Sequence, residues 1–298
     1  MLEQLQGFHI EPTNICTLKC SQCARTEFIN KFPRKWKNKQ LNLNDLTKFI
    51  DIDITDKIIG LGGNYGDPIY YDSLFDLIDW AKQKNGIIKI STNGSYKTKE
   101  WWNSLANNLT KKDVIVFGID GIPTNFTNYR INADWNSILL GIEQVAKKVT
   151  TIWKYIPFSF NEDDIKEAEK MAKELGMEFF LDPTDRWSSE SDPLKSNKFL
   201  GKRYNNIINW TPIKQIAIDP ICKTTNYQHF ISADGYYMPC CFVGDHRFYY
   251  SSEFHKNKKK YDISNSTISS VLESLTDYYN NIENVKPNYC TFNCPKYD

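Results

Sequence analysis

Short apolar strands alternate with amphipathic helices through the first two thirds of the chain. Helices are predicted at Asn42–Ile50, at Ser73–Lys84 and at Asn161–Leu175, the last with Asn161 as its N-cap. Because strands that alternate with helices pair in parallel through right-handed crossovers, this order favours an α/β fold. Six such units fall short of the eight that close a full barrel, so we expect an open, partial (β/α)6 TIM-like barrel. The predicted strands are Phe8–Ile10, Lys57–Leu61, Ile87–Ser91, Val114–Ile119, Thr151–Phe158 and Phe179–Leu181.

Three cysteines with short spacing follow the first predicted strand. Cys16, Cys20 and Cys23 form a C-x3-C-x2-C motif. Cysteine thiolates hold iron–sulfur clusters, and three of them leave one iron of a four-iron cluster open to a small molecule. A zinc site would need a fourth Cys or His close by, and buried structural cysteines would need apolar neighbours rather than Lys19 and Arg25. The motif favours a redox-active iron–sulfur centre, with zinc or core packing as the alternatives.

The cysteine motif and the loops that follow it resemble the radical S-adenosylmethionine (radical SAM) superfamily. In that family the open iron of a [4Fe–4S] cluster chelates the amino and carboxylate groups of SAM. The resemblance implies that Cys16, Cys20 and Cys23 hold such a cluster and are essential to catalysis. It also implies SAM as a cofactor, with the functional residues in loops at the carboxyl ends of the strands.

Two later loops match the SAM-contact loops of the family. Gly66 and Asp67 begin a Gly-Asp-Pro sequence where the family has Gly-Gly-Glu or Gly-Glu-Pro, whose backbone carbonyls hold the SAM amino group. Asp67 is shorter than the family's Glu, which a backbone role tolerates. Ser91 and Asn93 lie in a Ser-Thr-Asn-Gly sequence that resembles the ribose-binding stretch. Without the family, the first sequence would be a turn and the second a polar loop.

Charged residues supply the other candidate contacts. The resemblance implies Asp120 as a cofactor contact and Arg130 as the cation that faces the SAM carboxylate, where a planar guanidinium gives two hydrogen bonds. A solvated surface arginine is the alternative for Arg130. The basic stretch Lys31–Lys39 is either a solvated loop or a contact for an anionic substrate. Nothing in the sequence distinguishes Asp245 and His246 from surface residues.

Five more cysteines lie near the end of the chain. An Ala-Asp-Gly turn precedes Cys240, and we expect it to bring that strand back beside the strand that carries Cys222. The pattern resembles the twitch form of the SPASM/twitch extension of radical SAM enzymes, a β-hairpin and short helix that hold an auxiliary [4Fe–4S] cluster. The resemblance implies Cys222, Cys240, Cys290 and Cys294 as its ligands, with the choice between Cys240 and Cys241 open. A zinc tetrathiolate is the alternative.

Composition and pattern together suggest two domains, a radical SAM core at 1–204 and an auxiliary-cluster domain at 205–298. The net charge of +1 gives no field that would favour nucleic acid or an anionic membrane as a partner. The sequence has neither a secretory start nor an apolar run long enough to span a bilayer, so we expect a cytoplasmic protein. Metal ligation explains the clustered cysteines better than disulfides do in a reducing compartment.

The resemblance extends from Ile10 to Cys294 and implies an oxidoreductase. SAM is cleaved to methionine and a 5′-deoxyadenosyl radical, the radical takes a hydrogen atom from the substrate, and the auxiliary cluster accepts the electron that remains. We expect dehydrogenation or oxidative bond formation on a small metabolite, with flavodoxin or ferredoxin as electron donor. Alternatives are modification of a ribosomal peptide, which the 15 residues before Cys16 make less favoured, RNA modification, and a non-catalytic iron–sulfur or zinc protein.

Overall fold

Eight strands form one sheet in the computed structural model, which describes residues 5–184, 187, 189, 191–200, 217–224, 229–294 and 296. These strands are β1 (Gly7–Ile10), β2 (Ile58–Leu61), β3 (Ile87–Thr92), β4 (Val114–Gly118), β5 (Thr150–Tyr155), β6 (Glu178–Leu181), β7 (Phe230–Ile231) and β8 (Tyr237–Met238). Their order is β6-β5-β4-β3-β2-β1-β7-β8, with β1 to β6 parallel. Six parallel strands that resemble part of a TIM barrel confirm the predicted fold class.

Helices separate the parallel strands. Several begin with side-chain caps that the sequence supplies, since Asn42, Thr98 and Asp134 each accept a hydrogen bond from the backbone three residues further on. The helices of the described residues are α1 (Ala24–Lys31), α2 (Leu43–Phe49), α3 (Leu74–Gln83), α4 (Lys99–Asn107), α5 (Trp135–Val145), α6 (Ile165–Glu174), α7 (Ile221–Thr224), α8 (His246–Tyr249), α9 (Glu253–Lys256), α10 (Ile268–Ser274), α11 (Thr276–Val285) and α12 (Asn288–Asn293). None of these helices has the length and apolar character that a bilayer span requires.

The two faces of the parallel sheet differ in burial. On β3, Ile88 and Ile90 are fully buried in the hydrophobic core, whereas Lys89 is half-buried and Ser91 is exposed. Side chains alternate between faces along a strand, so the apolar face packs under the helices and the polar face stays open. All the predicted site loops of the first 130 residues follow strands at the same edge of this sheet.

The C-terminal part of the described chain extends the sheet beyond β1. Gly235 has a φ of +81° in the turn between β7 and β8, a left-handed conformation that favours glycine, and β7 pairs in parallel with β1. The predicted hairpin is therefore present. Cys222, however, lies on the short helix α7 rather than on a strand of the hairpin. The predicted domain boundary at 204/205 lies outside the described residues.

The start of α6 also differs from the prediction. The helix begins at Ile165, and Asn161 does not cap it, because its Oδ1 accepts a hydrogen bond from the backbone N–H of Phe158 instead. The next residue, Glu162, lies before the helix too, and its carboxylate accepts hydrogen bonds from Ser196 and from the backbone of Asn197. These bonds to a segment distant in sequence hold 161–164 as turns.

Candidate iron–sulfur and cofactor site

The three cysteines of the C-x3-C-x2-C motif lie on the loop between β1 and α1. Cys20 is buried, whereas Cys16 and Cys23 are half-buried. Cys23 is the N-cap residue of α1, and its backbone N–H donates to the Cys20 carbonyl at 3.1 Å. The loop thus holds the three sulfur atoms at the carboxyl edge of the sheet, where the sequence places them.

The end of β3 reaches Cys16. The Asn93 side-chain amide donates to Cys16 Sγ at 3.5 Å, and the Leu18 backbone N–H donates to the same sulfur at 3.5 Å. Burial raises the pKa of the Cys16 thiol to about 12 in the absence of a metal. The Leu18 N–H acts in the opposite direction, because a donor to the sulfur stabilises the thiolate.

Asp67 uses its side chain in a way that the sequence did not reveal. The buried carboxylate accepts hydrogen bonds from Asn93 Nδ2 at 2.5 Å, from the Asn93 backbone N–H at 2.7 Å, from Thr92 Oγ1 at 3.1 Å and from the Ile69 backbone N–H at 3.2 Å. Burial raises its pKa, although these bonds oppose the shift. The side chain therefore fixes the end of β3 beside the cysteine loop, and a SAM contact from the backbone of Gly66 or Asp67 stays a prediction.

Gly66 packs directly on the segment that leads to Cys16. A Cβ atom at Gly66 would lie 1.7 Å from the Thr13 carbonyl oxygen, so only glycine allows this approach. The Gly66 backbone N–H donates to Glu11 Oε1 at 3.2 Å, and the Asp67 backbone N–H donates to the Ile15 carbonyl at 2.9 Å. The loop after β2 and the cysteine loop thus form one tightly packed unit.

Arg130 and Asp120 lie near another cysteine of the loop, Cys20. Arg130 Nε donates to Asp120 Oδ2 at 2.6 Å, and Asp120 Oδ1 accepts from the Ile156 backbone N–H at 2.8 Å. Burial opposes the charge of Arg130, but Asp120 and the nearby Cys20 raise its pKa overall. Burial raises the pKa of Cys20 to about 11, and Arg130 acts in the opposite direction. The structure thus places the predicted carboxylate-binding cation next to a predicted cluster ligand.

Ser91 occupies a different position from Asn93. It is exposed on the open face of the sheet, where its Cβ lies 3.3 Å from the position that a Cβ at Gly62 would occupy. Asn93 is buried and bonded to Cys16 and Asp67. Ser91 can therefore offer its hydroxyl to a ligand on the open face, whereas Asn93 positions protein groups. Their predicted ribose contacts stay predictions.

Four further cysteines are buried together near the chain end. Each of them is at most 8% exposed. They are Cys222 on α7, Cys240 after β8, Cys290 on α12 and Cys294 at the C-cap of α12. Electrostatic contacts link Cys222 to Cys240, Cys290 and Cys294, and Cys240 also to Cys290 and the half-buried Cys241. Burial raises the pKa of Cys222 to about 12. The predicted auxiliary ligands are thus brought into one cluster.

The donor chemistry of both groups fits iron–sulfur clusters. Cysteine thiolates are the ligands that hold such clusters, so three of them would leave one iron of a [4Fe–4S] cluster open and four would ligate a cluster fully. Among the described residues, no three His, Cys, Asp or Glu side chains converge as closely as one metal ion requires.

Comparison with known proteins gives a family match and several structural relatives. A family model described as "Radical SAM superfamily" matches residues 10–175. The tungsten-containing aldehyde ferredoxin oxidoreductase cofactor-modifying protein of Pyrococcus furiosus is 26% identical over 160 residues, which are 51% of this chain and 39% of that protein. The chain therefore spans well under half the length of this curated relative.

Solved structures of Streptococcus suis SuiB share the fold. SuiB bound to S-adenosylmethionine has a TM-score of 0.57 at 14% identity, and the match covers 80% of this chain and 61% of SuiB. SuiB bound to the precursor peptide SuiA has a TM-score of 0.56 at 14% identity, covering 86% of this chain and 66% of SuiB. The chain spans less than two thirds of SuiB, and at this identity the likeness concerns the fold alone.

Proposed function

The chain belongs to the radical SAM superfamily, and we propose that it is an oxidoreductase that binds two [4Fe–4S] clusters and oxidises a small metabolite. Cys16, Cys20 and Cys23 would hold the catalytic cluster. Bound and reduced, this centre supplies the electron that cleaves SAM to methionine and a 5′-deoxyadenosyl radical, which removes a hydrogen atom from the substrate. A flavodoxin or ferredoxin would supply the electron.

The observation that carries the proposal is the pair of side-chain networks beside the cysteine loop. Asn93 and Asp67 hold Cys16, and the Arg130–Asp120 pair lies by Cys20. Asp120 fixes the orientation of the Arg130 guanidinium through Nε, so its terminal nitrogens can present two N–H groups to a carboxylate. This arrangement supports binding of an amino-acid-like cofactor at the cysteine loop.

The second cysteine group supports an oxidative outcome. A centre bound by Cys222, Cys240, Cys290 and Cys294 would be fully ligated by protein and could accept an electron from a substrate radical. Two hydrogen bonds connect its surroundings to the loop after β2, which packs on the cysteine loop. Asn64 Nδ2 donates to the Cys241 carbonyl at 2.7 Å and Tyr65 Oη to the Gly244 carbonyl at 3.2 Å. The division into a core of 1–204 and an auxiliary domain of 205–298 is part of the proposal.

The open face of the sheet favours a small polar substrate. It carries Lys89, Ser91 and an ion pair between Lys154 and Asp182 at 2.5 Å. Modification of a ribosomal peptide is the second candidate, because SuiB, which has this fold, is known bound to a precursor peptide. We include a cytoplasmic location in the proposal, since thiolate ligands suit a reducing compartment.

Two neighbouring cysteines provide the test of the auxiliary centre. After anaerobic reconstitution with iron and sulfide, we expect about eight irons per chain in the wild type and in Cys241→Ser, but about four in Cys240→Ser. Cleavage of SAM should persist in both variants because the catalytic loop is intact. Equal iron in both variants, or zinc in place of iron, would contradict the auxiliary cluster.

A further inference from the structure

A cleft lies between the segment that follows α1 and the C-terminal hairpin of β7 and β8. Its cavity of about 190 Å³ is lined by residues of both parts, among them Glu11, Trp36, Tyr65, Asp234, Tyr236 and His246. Drug-sized ligands occupy cavities of roughly 300 to 1,000 Å³, so this one suits a single ring or a similarly small group. We call it the hairpin cleft.

Aromatic rings form one side of the hairpin cleft. Phe28 packs edge-on against Tyr65 at 6.4 Å and against His246 at 5.2 Å, and Trp36 lies 5.9 Å from both Phe28 and Tyr65. Tyr250 stacks on Phe28 at 6.4 Å. Walls of this kind favour a flat ring, which gains contact area and stacking.

His246 lines this cleft, and neither of its ring nitrogens has a hydrogen-bond partner among the described residues. Its side chain is 6% exposed, and both ring nitrogens are buried without a hydrogen-bond partner. The nearest carboxylates lie slightly too far away, Glu27 at 3.6 Å from Nε2 and Asp245 at 3.5 Å from Nδ1. A buried polar group without a hydrogen bond is costly in free energy. A ligand that bonds to His246 removes this cost and therefore gains more binding free energy than it would from a side chain that already has its hydrogen bonds.

Glu11 adds a second buried polar group. It is 2% exposed, and its Oε1 accepts the backbone N–H groups of Tyr65 at 2.6 Å and Gly66 at 3.2 Å. Burial raises its pKa to about 7, so it can accept or donate a hydrogen bond near neutral pH. Polar groups at the wall and aromatic rings beside them suit a polar ring better than an aliphatic side chain.

The mouth of the cleft is basic, and its backbone is fixed. Lys35, Lys37 and Lys39 are exposed and line the cavity. Asn14 holds this segment, donating from Nδ2 to the Lys37 carbonyl at 2.9 Å and accepting from the Lys39 backbone N–H at 2.7 Å. Asp234 lies 3.8 Å from Lys39 and offsets one of the three charges. The remaining excess of positive charge favours an anionic group of the ligand at the mouth of the cleft.

We propose that the hairpin cleft binds a small molecule with a flat polar ring and a phosphate or carboxylate group. The ring packs against Trp36 and Tyr65, which both line the cavity, and bonds to His246, and the anion meets the three lysines. The cleft adjoins the cysteine loop, since Asn14 precedes Cys16 by two residues. That this ligand is the substrate rests on the proposed function, whereas its binding does not.

Calorimetric titration of the reconstituted protein with four probes tests this site. Uridine 5′-monophosphate and orotate combine a ring with a phosphate or a carboxylate, uridine has the ring without the anion, and ribose 5-phosphate has the anion without the ring. We expect at least one of the first two to bind about tenfold more tightly than either of the last two. Their order identifies the anion that the cleft prefers.

Matched charge variants locate the binding. A Lys35/Lys37/Lys39→Gln variant should weaken binding of the best probe about tenfold, and Trp36→Leu should also weaken it. A Lys166/Lys170/Lys173→Gln variant removes the same charge from the exposed side of α6 and should bind as the wild type does. Equal weakening by both triple variants would overturn the site.

Two further outcomes would reject the proposal. One is no binding by any probe. The other is tighter binding of an acidic hexapeptide than of all four, which would make the cleft a peptide site. Cleavage of SAM is measured on the same samples, so failure of binding with intact cleavage rejects the hairpin cleft without touching the proposed function.

Discussion

Asn93 donates from one side-chain nitrogen to Cys16 Sγ at 3.5 Å and to Asp67 Oδ2 at 2.5 Å. A single amide thus connects the loop after β1 with the loop after β2, at the end of β3. Groups that orient a metal ligand tune it strongly even though they do not bind the metal. Asn93 is therefore expected to position Cys16 for its cluster.

Replacement of Asn93 by Ala should lower the rate of SAM cleavage about 10- to 100-fold while iron binding persists, because the three thiolates remain. The assay is dithionite-driven formation of 5′-deoxyadenosine, normalised to iron content. Asn108→Ala is the control, since Asn108 is an exposed C-cap residue of α4. An unchanged rate in the Asn93 variant would show that the bond to Cys16 has no role.

Two ion pairs with buried carboxylates lie at opposite ends of β4, and substitutions in them can distinguish an effect on stability from an effect on SAM binding. Lys82 Nζ lies 2.9 Å from Asp113 Oδ2 before the strand, and Arg130 Nε lies 2.6 Å from Asp120 Oδ2 after it. Lys82→Met and Arg130→Met should each destabilise the fold by about 2–3 kcal/mol, since each leaves a buried carboxylate without its cation. Only Arg130→Met should weaken SAM binding, by about tenfold or more.

Urea unfolding and calorimetric titration of SAM, at a temperature where both variants are folded, measure these two effects. Equal affinity for SAM in the two variants would reject the carboxylate-binding role of Arg130.

Glu11 predicts a specific pH dependence. Burial raises its pKa from 4.5 to about 7, so the folded state retains this proton more strongly than the unfolded state does. Stability is then lost as the pH rises from 4.5 through about 7, by at most about 3 kcal/mol. Glu11→Gln keeps an oxygen that can accept from Tyr65 and Gly66 and removes the titration.

The free energy of unfolding at about pH 5 and about pH 8 checks this prediction. Glu11→Gln should match the wild type more closely at the lower pH and exceed it at the higher one. Glu167→Gln, an exposed change on α6, serves as the control. A constant difference between Glu11→Gln and the wild type at the two pH values would contradict the assignment.

The parallel sheet was predictable because its signal is local. On β3, Ile88 and Ile90 alternate with Lys89 and Ser91, a pattern that identifies a strand in the sequence. The site loops follow the strands directly along the chain, so they could be located from the sequence as well. The start of α6 could not be predicted in this way. Asn161 and Glu162 are residue types that favour a helix start, but Asn161 accepts from the Phe158 backbone N–H and Glu162 accepts from Ser196 instead. Tertiary contacts overrode the local preference there.

The surroundings of the site were less accessible to sequence reasoning. A four-residue helix such as the one that carries Cys222 has too few residues to show a helical period. His246 resembles a surface residue in the sequence, yet it is buried by Phe28 and Tyr65, which are about 180 to 220 positions away. The side-chain role of Asp67 depends likewise on Asn93 from another strand.

The central claim is that Cys16, Cys20 and Cys23 hold the cluster that cleaves SAM. Anaerobic reconstitution, iron counting and the 5′-deoxyadenosine assay on the wild type and a Cys16/Cys20/Cys23→Ala variant test it most directly. We predict about eight irons in the wild type, about four in the variant, and no cleavage of SAM by the variant. About four irons in the wild type, or cleavage that survives the triple substitution, would contradict the account.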